Sequence, residues 1–171
     1  FHPHLVNLSR YEEVKQKFLS DLAQLDTGQE SHDLRRKNVL AQGMNFIHHV
    51  LKTNFYRMNY TALSFRLDPH YLDAIPFNRL EKFPQLPYAI FYVRGMHFFA
   101  FHIRFKDLAR GGLRTVYPDQ IEQMVAESNH VFAECYHLAW TQQKKNKDIP
   151  EGGAKGVIFL KPFDLIESES H

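Results

Sequence analysis

The sequence predicts an α/β domain, a mixed sheet flanked by helices in the order ααβββαβ. Three observations carry this expectation. Apolar residues recur at spacings of three and four before residue 54 and again after Pro118. Alternating, β-branched and aromatic runs fill the stretch from Thr61 to Phe105. A short apolar run, Val157-Ile158-Phe159-Leu160, follows a glycine-punctuated loop and reads as a buried strand. At 171 residues the chain is long enough for one packed core. The expectation is a single domain, 1–171, with a helical hairpin at 1–56 and an α/β part at 57–171.

Taken in order, Ser9-Arg10-Tyr11-Glu12 resembles a capping box, and Val14, Phe18, Leu19, Leu22 and Leu25 extend a helix toward Asp26-Thr27-Gly28. A second helix is expected from after Ser31 to Asn54, with Leu34, Val39, Leu40, Ile47, Val50 and Leu51 on one face. Leu63, Phe65 and Leu67 alternate in a strand that Asp68-Pro69 stops. Pro69, Pro76, Pro84 and Pro87 then predict a long irregular connection. Tyr88–Arg94 and Met96–Phe105 predict an antiparallel hairpin turning at Gly95. Pro118 suits the first turn of a long helix reaching Gln143, carrying Ile121, Met124, Val125, Phe132, Cys135, Leu138 and Ala139. The closing strand-helix-strand unit is expected to be parallel.

Composition bounds the function. The chain is 44% apolar and 23% charged, which excludes a disordered tail or a collagen-like repeat. Its 15 Phe residues point to a core built from aromatic rings rather than to a chemistry. A net charge of +2 supplies no field to gather nucleic acid or an anionic membrane. No apolar run approaches the roughly 18 residues of a membrane span. The 11 His lack metal-site spacing, so no metal is expected. The lone Cys135 excludes an internal disulfide, reads as a small buried hydrophobe, and suits a reducing compartment: the cytoplasm, with the mitochondrial matrix equally compatible. The chain opens on Phe1-His2-Pro3-His4 without Met and closes on Leu165-Ile166-Glu167-Ser168-Glu169-Ser170-His171, which reads as an excised piece of something longer.

Two segments place cations beside paired glycines. Asp107-Leu108-Ala109-Arg110-Gly111-Gly112-Leu113-Arg114 follows a strand, and Lys144-Lys145-Asn146-Lys147-Asp148-Ile149-Pro150-Glu151-Gly152-Gly153-Ala154-Lys155-Gly156 follows the long helix. Glycine pairs let backbone approach a ligand, and Arg or Lys offers charge to carboxylate or phosphate oxygens. Taken alone, such loops are ordinary turns with solvated cations. A phosphate-binding P-loop fails, because Gly156 stands where Ser or Thr must follow the lysine, and a strand rather than a helix follows. No G-x-G-x-x-G occurs, so there is no dinucleotide fingerprint.

These motifs resemble those of the substrate domain of the large-subunit NAD-dependent glutamate dehydrogenase family. The resemblance is carried by Phe101-His102-Ile103-Arg104-Phe105, Arg110-Gly111-Gly112-Leu113-Arg114, Lys145-Asn146-Lys147-Asp148-Ile149-Pro150-Glu151-Gly152-Gly153-Ala154-Lys155-Gly156, Thr53-Asn54-Phe55-Tyr56 and Ala62-Leu63-Ser64-Phe65-Arg66-Leu67-Asp68-Pro69. It extends from Thr53 to Pro162. It implies part of an enzyme that converts L-glutamate, water and NAD to 2-oxoglutarate, ammonium and NADH, with NAD bound by a domain missing from this chain and the fragment alone inactive.

By the same resemblance Lys155 is the catalytic lysine that activates water, and neighbouring cations favour the neutral amine this needs. Arg110 stands where the family has a lysine for a substrate carboxylate, so charge is kept with a forked donor. Lys145 matches the lysine for the other carboxylate, with Lys144 as an alternative. Gly111, Gly112, Gly152 and Gly153 would let the backbone approach substrate. An Arg at position 110 favours glutamate and 2-oxoglutarate over monocarboxylic substrates, while an enzyme for another acidic amino acid such as aspartate is a less favoured reading. The family's catalytic Asp lies beyond this chain, and Asp164 follows Lys155 too closely to be it. Arg104 and Arg114 read as structural, and His97 and His102 receive no role. The parent is expected to be a homo-oligomer. The rival reading is a non-catalytic regulatory or assembly module with the same fold.

Overall fold

The computed structural model describes residues 7–161. The expectations for Phe1–His4, Asp164 and Leu165–His171 lie outside them. The chain divides into two compact units, 1–50 and 51–171.

The first unit is a helical hairpin of α1 (Leu8–Ala23) and α2 (Glu30–His48). The cap of α1 is Asn7, whose side chain accepts the Arg10 N–H at 3.0 Å, so Ser9 lies inside the helix rather than capping it. Gly28, at φ +79°, makes the turn. Asp33 is buried and closes it, accepting from the Thr27 N–H and hydroxyl, both at 2.6 Å, and from Arg36 at 3.1 Å. The Thr27 hydroxyl bond, then its N–H bond, hold the Asp33 carboxyl below its ordinary range. At the other end Tyr11 stacks on His48 at 6.0 Å, with its hydroxyl 3.2 Å from His48 Nδ1. Burial, then the Lys15 charge, push His48 below its ordinary value. The apolar face expected on α2 leaves Leu34, Val39 and Leu40 exposed.

α2 stops at His48, short of the expected Asn54, because Val50–Thr53 is strand β1. The second unit carries β2 (Leu63–Leu67), β3 (Ala89–Arg94), β4 (Phe98–Arg104), β5 (Ala109–Val116) and β6 (Gly152–Leu160). With β1 they form one mixed sheet in the order β1-β2-β3-β4-β6-β5. The β3–β4 hairpin is antiparallel, as its alternation predicts, with Phe91 opposite His102. The strand at 96–105 is antiparallel to β6, however, and the parallel partner of β6 is β5. β5 was expected as loop. Its paired glycines and absent alternation hide a strand whose hydrogen bonds all come from a distant partner.

The proline-rich connection is more ordered than expected. Pro69–Ala74 is a 3-10 helix capped by Asp68, and α3 (Arg79–Lys82) is a single turn capped by Asn78. The long helix is broken into α4 (Ile121–Ser128) and α5 (Val131–Lys145). At the break the Ser128 hydroxyl and Asn129 amide both donate to the Val125 carbonyl, at 2.9 and 3.0 Å, competing with the helical ladder.

α5 covers one sheet face, and the core lies between them. Ile90, Ile103, Cys135, Tyr136, Ala139, Val157 and Phe159 are fully buried there. The Phe-rich composition is spent on a chain of ring contacts: Phe83 meets Phe132 and Tyr136 at 5.3 and 4.9 Å, Phe132 meets Phe101 at 5.2 Å, and Phe99 meets Phe159 at 5.1 Å. Of these Phe rings, Phe83 and Phe159 are buried, and each contributes roughly 1.5–3 kcal/mol. Among the described residues no helix is long and apolar enough to cross a membrane.

Candidate functional site

Arg110, Arg114 and Lys155 lie on one face of the β5–β6 pair, and the end of α5 is seated beside it. On the parallel pair, Arg110 lies opposite Gly153, Gly112 opposite Lys155, and Arg114 opposite Val157. Paired positions share a face, and alternate residues along a strand return to it. That face is the one under α5. Gly153 lies against the α5 backbone, and Arg114 reaches Glu134 of α5 at 2.8 Å. Arg110, Gly112, Arg114 and Lys155 are thus coplanar neighbours. A Cβ placed on Gly112 would stand 3.7 Å from Lys155 Nζ, so the amine leans across to β5 into the gap between the two arginines. Each arginine is about 6.6 Å along the strand from that gap.

Lys145 arrives from α5. Gln143 Oε1 accepts the Gly153 N–H at 2.7 Å, and the buried Asn146 donates its side-chain N–H to the Gly152 carbonyl at 3.1 Å. These bonds seat the last turn of α5 on the two residues beside Arg110, with the exposed Lys145 between them. Lys144 lies 5.3 Å over the Trp140 ring, which gives its charge a partner on its own helix. Lys147 is exposed.

Two carboxylates at this edge escaped the sequence reading. Glu151 Oε2 is 3.5 Å from Arg110 Nε, and Glu134 pairs with Arg114. Glu151 could have been suspected, since it adjoins the Gly152-Gly153 pair; nothing in the sequence links Glu134 to Arg114, twenty residues away.

The glycines acquire packing reasons. A Cβ on Gly153 would meet the Ala139 carbonyl and the Gln143 backbone, including its Cα at 2.6 Å, so only glycine lets α5 lie on β6 here. A Cβ on Gly111 would meet the Ala154 carbonyl, and one on Gly152 would stand 2.6 Å from Lys106 Cβ. Gly112 has open space apart from the Lys155 amine.

Cys135 of α5 lies against β4 and β6. Its Sγ is 3.3 Å from the Lys155 carbonyl and 3.4 Å from that of Phe101, and burial pushes the thiol up to about 12. It is a packed small residue, as expected, and not a nucleophile. Among the described residues no three His, Cys, Asp or Glu side chains group to hold a metal ion.

Comparison with known proteins places this geometry in context. Residues 23–170 match the family described as bacterial NAD-glutamate dehydrogenase, catalytic domain. The chain is 49% identical over 117 residues to glutamate dehydrogenase 2 of Dictyostelium discoideum, covering 68% of this chain and 11% of that protein. It is 50% identical over 120 residues to the NAD-specific glutamate dehydrogenase of Saccharomyces cerevisiae, covering 70% and 10%, and 48% identical over 113 residues to that of Neurospora crassa, covering 66% and 10%. The chain therefore spans about a tenth of the length of these relatives.

Proposed function

We propose, since the chain belongs to the family of NAD-glutamate dehydrogenase catalytic domains, that it supplies the substrate half-site of such an enzyme. The parent would oxidise L-glutamate to 2-oxoglutarate and ammonium with NAD as acceptor. The observation that carries the reading is the shared face of Arg110, Lys155 and the anchored α5 end bearing Lys145.

Arg110 and Lys145 bind the two carboxylates of the five-carbon diacid, and the fork of Arg110 takes one of them in two parallel bonds. Lys155 accepts a proton from water as that water's oxygen bonds to the iminium carbon and the C=N π pair moves to nitrogen. That proton is then delivered to the amine nitrogen, the C–N bond breaks as its electron pair leaves with nitrogen, and the remaining hydroxyl gives up its proton to form the carbonyl, so that ammonium is the net product. Gly112, with no side chain, keeps the Lys155 amine accessible beside Arg110, while Gly111, Gly152 and Gly153 hold the surrounding backbone in place.

The described residues do not fit NAD itself. The space over Gly153 that a glycine-rich pyrophosphate cradle would need is filled by α5, and no G-x-G-x-x-G occurs in the chain. Hydride transfer belongs to other parts of the parent, and this chain by itself is inactive. The parent is further proposed to be a homo-oligomer in a reducing compartment, cytoplasm or mitochondrial matrix, which the free, buried Cys135 suits.

The test is Lys155→Ala in the full-length dehydrogenase containing this chain. Loss of about 10²–10⁴-fold in kcat, with 2-oxoglutarate binding kept, is expected. Turnover unchanged by this substitution would transfer the chain to the class of non-catalytic modules.

A further inference from the structure

The sheet face opposite α5 carries a second polar concavity. Arg66, Phe91, His102 and Gly156 form one cross-strand row on that face, since each is one residue out of step with the Leu67-Ile90-Ile103-Lys155 row. Arg66, Phe91, His102 and Arg104, with Tyr88 and Asp107, line an open cleft of about 360 Å³.

Its charged groups are unevenly satisfied. The Arg66 guanidinium carbon lies 5.9 Å from the Tyr88 ring centroid and 6.0 Å from that of Phe91, which holds the group in place through the rings. Arg66 Nε is buried and has no hydrogen-bond partner. A buried donor in that state costs roughly 1–3 kcal/mol. Arg104 donates one bond to the Asp107 carbonyl at 2.6 Å. The ion pairs among the described residues include neither guanidinium. Burial, then the Arg104 charge, hold His102 below its ordinary value, so near pH 7 it is a neutral hydrogen-bonding group. Two guanidiniums against the one Asp107 carboxylate leave a single positive charge, which matches a monoanion and disfavours a phosphate dianion. Flat rings beside the cations suit a carbon skeleton.

We propose that this cleft binds a monocarboxylate, its oxygens on the Arg66 and Arg104 guanidiniums and its carbon part against Tyr88 and Phe91. The reading is independent of the chemistry assigned to Lys155. The carboxylate could be a free small molecule or an acidic side chain presented by a polypeptide, and the experiment separates the two.

The 171-residue chain is titrated, by calorimetry and by amide chemical shifts, with benzoate, with neutral benzamide, with inorganic phosphate, and with a blocked peptide bearing one Glu. Saturable binding of benzoate but not benzamide, with shifts at Phe91 and His102, is expected, weakened about tenfold or more in Arg66→Met, which keeps the stem between the rings. Arg104→Gln provides a second variant should Arg66→Met fold poorly. Saturation by the Glu peptide alone supports the same site with a polypeptide source. Equal binding of benzamide, preference for phosphate, no saturation by any probe, or benzoate binding unchanged in both variants overturns the proposal.

Discussion

Lys155 on β6 stands directly across from Gly112 on β5, its amino nitrogen 3.7 Å from the point a Cβ at position 112 would occupy. A small side chain at position 112 would fit in ordinary contact with the amine, and a larger one would compete with it for the space between Arg110 and Arg114.

Gly112→Ala places a methyl at ordinary van der Waals distance from that amine and, on an exposed strand position, changes stability by no more than about 0.5 kcal/mol. Gly112→Leu displaces the amine. In the full-length enzyme kcat should fall in the order Gly, Ala, Leu while thermal melting stays nearly level. Equal kcat in all three would separate the amine from the reaction.

Glu151 occupies Arg110 in the absence of substrate, at 3.5 Å with both groups partly exposed. Exposed pairs of this kind contribute about 0–1 kcal/mol. Glu151→Gln should therefore lower the KM for 2-oxoglutarate by up to about fivefold, as 1 kcal/mol permits, with kcat little changed. A raised KM would mean that Glu151 orients Arg110 rather than competing for it.

Gly153→Ala forces a methyl into the α5 backbone and should destabilise the second unit by roughly 1–3 kcal/mol, read as a lowered denaturation midpoint. Wild-type stability in this variant would contradict the seating of α5 on β6.

Cys135 should resist thiol reagents at pH 8 in the native protein and react only on unfolding. Burial raises its folded value from 9.0 to about 12, so the native state disfavours the thiolate. The stability this contributes is complete below the unfolded value near 9 and declines as pH rises from there toward 12. Stoichiometric labelling of folded protein at pH 8 would refute the buried placement.

Much of the framework was legible because local patterns agree with it. Alternation in Leu63–Leu67 and on both arms of the Gly95 hairpin predicted β2, β3 and β4, and the spacing of Phe132-Cys135-Leu138-Ala139 predicted α5. β1 and β5 were missed, as their residues lack the alternation that marks a half-buried strand. The division of the long helix was missed too, for the Ser128 and Asn129 side-chain bonds to Val125 leave no periodic mark. Arg110, Lys145 and Lys155 stand out in the sequence as cations beside glycines, whereas the Glu151 and Glu134 partners and the Arg66 cleft depend on strand register.

The sequence by itself determined the α/β class, the helical hairpin, the family motifs and the residues able to carry charge at the site, because composition, periodicity and short motifs are local properties. Only the tertiary structure decided that Arg110 and Lys155 share a face, that Gly153 is glycine for the sake of α5, and that His102 lies with Arg66 on the other side of the sheet. The physical reason is the two-residue period of a strand: a shift of one residue in pairing sends every side chain to the opposite face, and that pairing is set by hydrogen bonds between segments some forty residues apart.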